Sequence, residues 1–306
     1  MQQKESKQDN NTQKIQDIMS SQSSKRKFID RIITAFAIVC VISALIPLGS
    51  ILIEVVKNGI SAISIEFLTQ PPGSFFLGRG GIAPAIQGTL IVVGLASLIG
   101  APVGVLAGIY LSEYAGNGIF PSAVRFFNDV LTGLPSIVMG IVGYVTIVLL
   151  LGSFSVWAGA LALSIIMIPI VVRVTEESFK IIPNSIREAA HSLGIPKWKI
   201  TLFITMKSAK SGILTGIVLA ISRIAGETAP LIMTILGTSL FFTGFYGPID
   251  ALPLRIWRLA SQPYESAHSQ GWGAALVLIM IVLILSVVLR LLVQRKTGFK
   301  FKRATF

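Results

Sequence analysis

Charge, acid and cysteine are all scarce in this chain of 306 residues, and each shortage removes a class of protein. Charged residues make up 13% of the sequence and hydrophobic residues 53%, whereas a soluble domain carries about 25% charged residues. That balance excludes an ordinary soluble domain. The single cysteine, Cys40, excludes an intrachain disulfide and any cysteine cluster for a metal; inside an apolar run it reads as a small packing residue. The histidines, His191 and His268, lie too far apart to suggest a metal pair. No Gly-x-x-x-x-Gly-Lys-Ser/Thr run occurs, so nothing here cradles nucleotide phosphates. Gly78-Arg-Gly-Gly81 is a turn without the strand–helix context of a phosphate loop. There is no Ser/His/Asp arrangement, no metal constellation and no catalytic assignment to make. The chain cannot drive uphill transport by nucleotide hydrolysis on its own.

What is present is apolar length. A bilayer-spanning helix needs roughly 20 apolar residues, and six such stretches run near 32–56, 84–111, 131–151, 156–174, 211–237 and 272–293. Strand-like alternation is absent from them, so the fold class is all-α integral membrane, a bundle of six transmembrane helices rather than a barrel. Residues 1–31 are polar and rich in Gln, Asn, Ser and Lys, the composition of a disordered tail. Residues 32–294 form the transmembrane domain, and 295–306 form a basic C-terminal tail. The first apolar run is too long for a cleaved signal peptide and reads as a retained anchor.

The net charge of +12 could suggest nucleic acid, but its distribution argues for a lipid bilayer instead. With the N-terminus placed in the cytoplasm, 21 of the 26 Lys and Arg residues fall on that side. They lie in the tail through Arg31, at Arg125, in 173–210 and from Arg290 onward. Lys57, Arg79, Arg255 and Arg258 fall on the other side, and Arg223 lies within a helix. This asymmetry follows the positive-inside rule and puts both termini in the cytoplasm.

Between the fourth and fifth runs stands Pro183-Asn-Ser-Ile-Arg-Glu-Ala-Ala-His-Ser-Leu-Gly-Ile-Pro196. Ser185 and Glu188 have capping-box spacing, and Gly194 followed by Pro196 ends the segment. Ile186, Ala189, Ala190 and Leu193 make one apolar face, opposite Arg187, Glu188, His191 and Ser192. Two readings stand: a helix lying on lipid headgroups, or a helix placed in a partner's groove.

Small residues recur every four positions at Ala96, Gly100, Gly104 and Gly108, and again at Gly212, Gly216 and Ala220. In lipid such residues allow close backbone approach; packing within the chain and contact with a second subunit both fit. Pro102, Pro135, Pro169 and Pro230 fall within or at the ends of the spans.

The intramembrane ionisable site is Ser222-Arg-Ile-Ala-Gly-Glu-Thr-Ala-Pro230. Arg223 and Glu227 are four residues apart on one expected helix face, in the less favourable order for helix stabilisation. Pro230 cannot donate to the carbonyl of Gly226, and Thr228 adds a hydroxyl. Charges at membrane depth are costly and line interiors or aqueous paths. The pair is therefore either a structural ion pair or an anion-sensitive element of a transport path. Arg173, just before Glu176 and Glu177, is either a snorkelling anchor or part of that path.

Glu188-Ala-Ala, with nine residues between Gly194 and Ile204, resembles the EAA loop of binding-protein-dependent ABC importer permeases. Further stretches resemble phosphate-specific permeases: Gly81-Ile-Ala-Pro-Ala-Ile-Gln-Gly-Thr89, Ile109-Tyr-Leu-Ser-Glu-Tyr-Ala115, Leu134-Pro-Ser-Ile-Val138, Arg173-Val-Thr-Glu-Glu177 and Gly226-Glu-Thr-Ala-Pro230. Ala251-Leu-Pro and Leu259-Ala-Ser-Gln262 favour the A-type subunit over its C-type partner. The resemblance covers about residues 30–295. It implies a type I ABC importer permease-like fold in a bacterial or archaeal plasma membrane, non-catalytic and paired with a homologous C-type permease. Two copies of a cytoplasmic ATPase would carry ATP and Mg, with no cofactor on this chain. A phosphate-binding protein outside would deliver inorganic phosphate.

The EAA loop, about 176–207, would hold the coupling helix seated in the ATPase, with Arg187, Glu188, Ala189, Ala190, Leu193 and Gly194 as coupling residues. Arg223, Glu227, Thr228 and Arg173 would line the substrate pathway. One departure is Met206-Lys207 where the pattern closes with Leu-Pro, which leaves open where the coupling loop ends. The alternatives are a permease for another oxyanion, a secondary transporter using Arg223 and Glu227 for ion coupling, and a membrane phosphate sensor or scaffold.

Overall fold

The computed structural model describes the backbone of residues 2–73, 80–116 and 118–296, and side chains over 29–73, 80–116 and 118–291. Gly78, Arg79 and most of the basic C-terminal tail lie outside the described residues. The chain divides into two compact units, the first ending at Val56 and the second beginning at Lys57.

The first unit is part of one long helix, α1 (Gln2–Gly59). The backbone of the polar segment, from Gln2, is drawn as a continuation of that helix. Residues 2–31 contain neither glycine nor proline, and a helix already nucleated by the apolar run extends backward at little further cost.

The second unit is a helical bundle. After a 3-10 turn (Ile60–Ala62) come the short α2 (Ile65–Thr69) and the long α3 (Ala83–Ile109). α3 continues into a π-helical turn, Tyr110–Tyr114. α4 (Ile119–Gly133) and α5 (Ser136–Gly143) follow; the limb of α5 continues through a π-turn at Tyr144–Val148 and α6 (Leu149–Leu151). The sequence suggests one span at 131–151, but the two limbs meet at a bend of 105°. Pro135 disfavours helical backbone at Leu134, which is extended at φ −72°, ψ 143°.

α7 (Val156–Lys180) starts from Ser155, whose hydroxyl accepts from the Ala158 amide at 3.2 Å. Next come α8 (Asn184–Ser192), α9 (Lys197–Lys199), a π-helical stretch at Ile200–Thr205 and α10 (Met206–Ile224). α11 (Ala229–Thr234), α12 (Leu252–Ala260) and α13 (Glu265–Lys296) complete the chain.

The fifth span departs from the expected 211–237. The helix runs from Lys197 to Ile224, breaks at 225–228 and resumes as α11. The helix starts directly after Pro196 and passes through Lys207, which carries a backbone donor where the loop pattern has proline. The break follows from Gly226 and Pro230, the second sitting in the first turn of α11, where proline is favoured. Pro102 and Pro169, by contrast, are carried inside intact helices. Among the described residues five helices are long and apolar enough to cross a membrane, or six with the bent pair counted as one span. The count agrees with the six apolar runs.

The small-residue ladders pack within the chain. A Cβ at Gly104 would lie 2.6 Å from Val171 Cβ, one at Gly108 2.6 Å from Thr175 Cβ, and one at Gly100 3.1 Å from Met167 Cβ. The hydroxyl of Ser164 donates to the carbonyl of Ala96 at 3.2 Å. α3 and α7 are thus joined backbone to backbone, as small residues permit. Gly212 meets Ser178 and Gly216 meets Val174, which joins α10 to the other side of α7. The central core, Val92, Ala96, Leu163, Met167, Val171, Ala220 and Ile224, fills this three-helix sandwich.

Near the start of α3 a loop, 235–251, is pinned down. The Leu252 amide donates to Thr89 Oγ1 at 2.8 Å and the Phe242 amide to Gln87 Oε1 at 3.0 Å. Arg255 Nε donates to the buried Asp250 at 2.7 Å.

Candidate functional site

Two places stand out, one at the far end of α3 and one halfway along the bundle. At the far end, α8 is held away from the core. The expected capping box is not formed. The helix begins at Asn184 with Pro183 as its cap and no side-chain cap bond, so Ser185 is already inside the first turn. Its other end matches expectation. Gly194 is left-handed at φ 74°, its amide donates to His191 O at 2.9 Å, and the Ile195 amide donates to Ala190 O at 3.3 Å. Those two bonds make a Schellman motif that stops the helix.

The apolar edge of α8 is largely open. Of its residues only Ala190 is buried; Ile186, Ala189 and Glu188 are exposed, as are Leu193 and nearby Trp198. Arg187 points the other way. Its Nη2 and Nε donate to Glu113 Oε1 at 2.8 and 3.1 Å. Nη2 also donates to Phe179 O at 2.9 Å, while Nη1 donates to Ile182 O at 2.8 Å and Asn184 Oδ1 at 3.1 Å. It lies in a notch of about 440 Å³ that Ser112, Lys180, His191 and Lys197 also line.

Beside this notch lies a charged cluster between α4 and α7, around a cavity of about 180 Å³. Glu176 receives Arg125 at 3.0 Å and Lys180 at 2.8 Å. Arg173 lies here, between Asp129 at 3.5 Å and Glu177 at 3.2 Å. The structure therefore does not bring Arg173 together with Arg223.

Arg223 is in the last turn of α10, on the exposed side of a helix whose Ala220 and Ile224 belong to the central core. It thus stands at mid-bundle depth. Glu227 and Thr228 are not on its helix, contrary to the shared face expected from their spacing. The backbone leaves helical geometry after Ile224, with the Gly226 amide donating to Arg223 O at 3.2 Å. The break carries Glu227 back to within 3.8 Å of the Arg223 guanidinium. Next to them Ser222 and Ser286 share a hydrogen bond of 2.8 Å, tying the end of α10 to α13.

Residues 100–297 match the family of binding-protein-dependent transport system inner membrane components. The chain belongs to that family. It is 39% identical to the phosphate transport system permease protein PstA of Yersinia pestis, over 91% of this chain and 96% of that one. It is also 39% identical to PstA of Haemophilus influenzae, over 89% and 96%. Among solved structures it is similar in fold to a bacterial alginate ABC transporter, at TM-score 0.64 and 18% identity over 88% of this chain and 96% of that one. A methionine ABC transporter in an inward-facing conformation gives TM-score 0.59 and 16% identity, over 71% and 95%. The type I importer permease fold and the multi-pass membrane placement follow.

With the permease family established, Glu113, Arg125 and Asp129 are the charged residues of this end to which motif reading gave no role, although Glu113 lies inside the Ile109–Ala115 motif. Glu113 had a signal, being the one carboxylate in the apolar stretch between Gly81 and Arg125. Its partner, 74 positions away, had none.

Proposed function

We propose that this chain is a membrane-spanning permease subunit of an ATP-driven phosphate importer, forming half of the translocation pathway. The observation that carries the coupling half of this reading is α8: a sharply terminated helix whose Ile186, Ala189 and Leu193 edge is left open. An open apolar edge on a short helix suits a partner's groove. Glu188, Ala189 and Leu193 would meet a cytoplasmic ATPase subunit, two copies of which carry ATP and Mg; this chain needs no cofactor. The charge asymmetry supports a cytoplasmic side for α8 and both termini. A homologous C-type permease would complete the channel, and an extracytoplasmic phosphate-binding protein would deliver the anion.

Substrate class rests on the PstA relatives, and mid-bundle chemistry is consistent with it. Arg223 offers a planar guanidinium suited to an oxyanion. Glu227, held at 3.8 Å, tempers that charge so that an anion is attracted without being trapped. Thr228, at the same break, adds a hydroxyl. Arg173 sits nearer the cytoplasmic end, already engaged by two carboxylates, and would act on an anion only as it leaves.

The test is reconstitution with the partner permease, ATPase and binding protein, followed by ATP-dependent uptake of labelled phosphate against sulfate. Phosphate uptake that needs every component is the expected result. Uptake of sulfate alone would overturn the substrate, and uptake that survives ATP depletion under an ion gradient would overturn the ABC mechanism.

A further inference from the structure

We propose that Glu113 and Arg187 are paired positioning residues that tie α8 to the transmembrane bundle, so that a displacement of α8 reaches α3 and α7 together. The inference rests on the importer reading and deepens it, because it assigns Arg187 to the inward side of the coupling element rather than to the surface that meets the ATPase.

The first ground is how weakly α8 is otherwise attached. A helix of nine residues has little rigidity of its own, and Ala190 is its one buried side chain. Apolar burial therefore holds it only lightly. The guanidinium of Arg187 supplies what burial does not. It bonds to Glu113 in the π-turn that ends α3, to the carbonyls of Phe179 and Ile182 at and just beyond the end of α7, and to Asn184 of α8 itself. One rigid planar group thus spans three elements, an arrangement that the compact ammonium of a lysine cannot reproduce.

The second ground is what lies beyond the clamp. α3 and α7 are packed side to side at Gly100, Gly104 and Gly108, with no room for a side chain between them. α7 in turn meets α10 at Gly212 and Gly216, and α10 ends at Arg223 and the 225–228 break. Packed elements of this kind shift between discrete arrangements rather than deforming smoothly. Glu113 sits in a π-turn, a geometry found as single turns at functional positions. Its side chain is nearly buried, which makes it unsuited to touching a partner and suited to anchoring Arg187.

The experiment uses the complete reconstituted transporter and compares ATP hydrolysed with phosphate imported for the unmodified chain, Glu113→Gln and Arg187→Lys. Both variants are expected to co-purify with the other subunits and to keep ATPase activity stimulated by the loaded binding protein. ATP consumed per phosphate should rise about tenfold for Glu113→Gln, the scale of a coupling energy between sites, and by less for Arg187→Lys. An unchanged ratio in assembled variants would overturn the proposal, and so would failure of both to assemble, which would make the pair a folding element. Absence of phosphate uptake by the unmodified complex would instead overturn the importer reading.

Discussion

Arg187 with Glu113, and Arg223 with Glu227, are chemically the same pair in two different settings. At the α8 end the partners lie 2.8 Å apart, their side chains are 18% and 6% exposed, and the arginine bonds to three further groups. At the helix break they lie 3.8 Å apart and are 58% and 16% exposed, with no further bond from the guanidinium among the described residues. The first arginine is committed in all directions and can act only as a joint. The second keeps most of its donors free of partners among the described residues. Burial and donor occupancy, rather than residue identity, separate the two settings.

A third pair extends the comparison to its limit. Arg255 and Asp250 are 3% and 0% exposed, and Arg255→Ala would strand a buried carboxylate. We expect this to cost about 3–5 kcal/mol, read as the largest fall in thermal stability of the three. Arg187→Ala should cost less, about 2 kcal/mol, because its notch admits water to the orphaned Glu113. Gly216→Val tests the seam between the two regions. Its side chain would collide with Val174, and overpacking at about 1–3 kcal/mol should be accompanied by weaker uptake, since α10 carries Arg223. Arg223→Ala should be the mildest for stability, below about 1 kcal/mol, because the arginine is exposed and its contact is long. Uptake should nevertheless fall about tenfold, the worth of one charge-assisted hydrogen bond. Equal stability losses for Arg255→Ala and Arg223→Ala would refute the ordering by burial. Unchanged uptake in Arg223→Ala would remove that residue from the pathway.

Local signals determined a good deal of this protein. Apolar runs of membrane length specify a six-span helical bundle, because backbone polar groups in lipid must be satisfied within each segment. Gly194 ends α8 wherever that helix packs, since a left-handed residue is needed to close a Schellman motif. Pro135 and Pro230 sit at real breaks for a different local reason, the missing amide donor and the restricted residue before each proline. The proline rule did not, however, tell these from Pro102 and Pro169, which neighbouring helices hold in line.

Only the tertiary structure decided who meets whom. The glycine ladders announce close approach without naming the partner; α7 is the partner of both, because its Met167, Val171, Val174 and Thr175 present side chains that fit the bare backbone. Spacing put Arg223 and Glu227 on one helix, yet the chain breaks between them and folding brings them together across the break. Ser185 and Glu188 had the spacing of a capping box, but the helix starts at Asn184 and leaves them uncapped. Arg187 read as a surface residue beside Glu188 until packing placed Glu113 beneath it. Propensity and periodicity act over one turn, whereas a pair 74 residues apart in the chain exists only once α3 and α7 are packed.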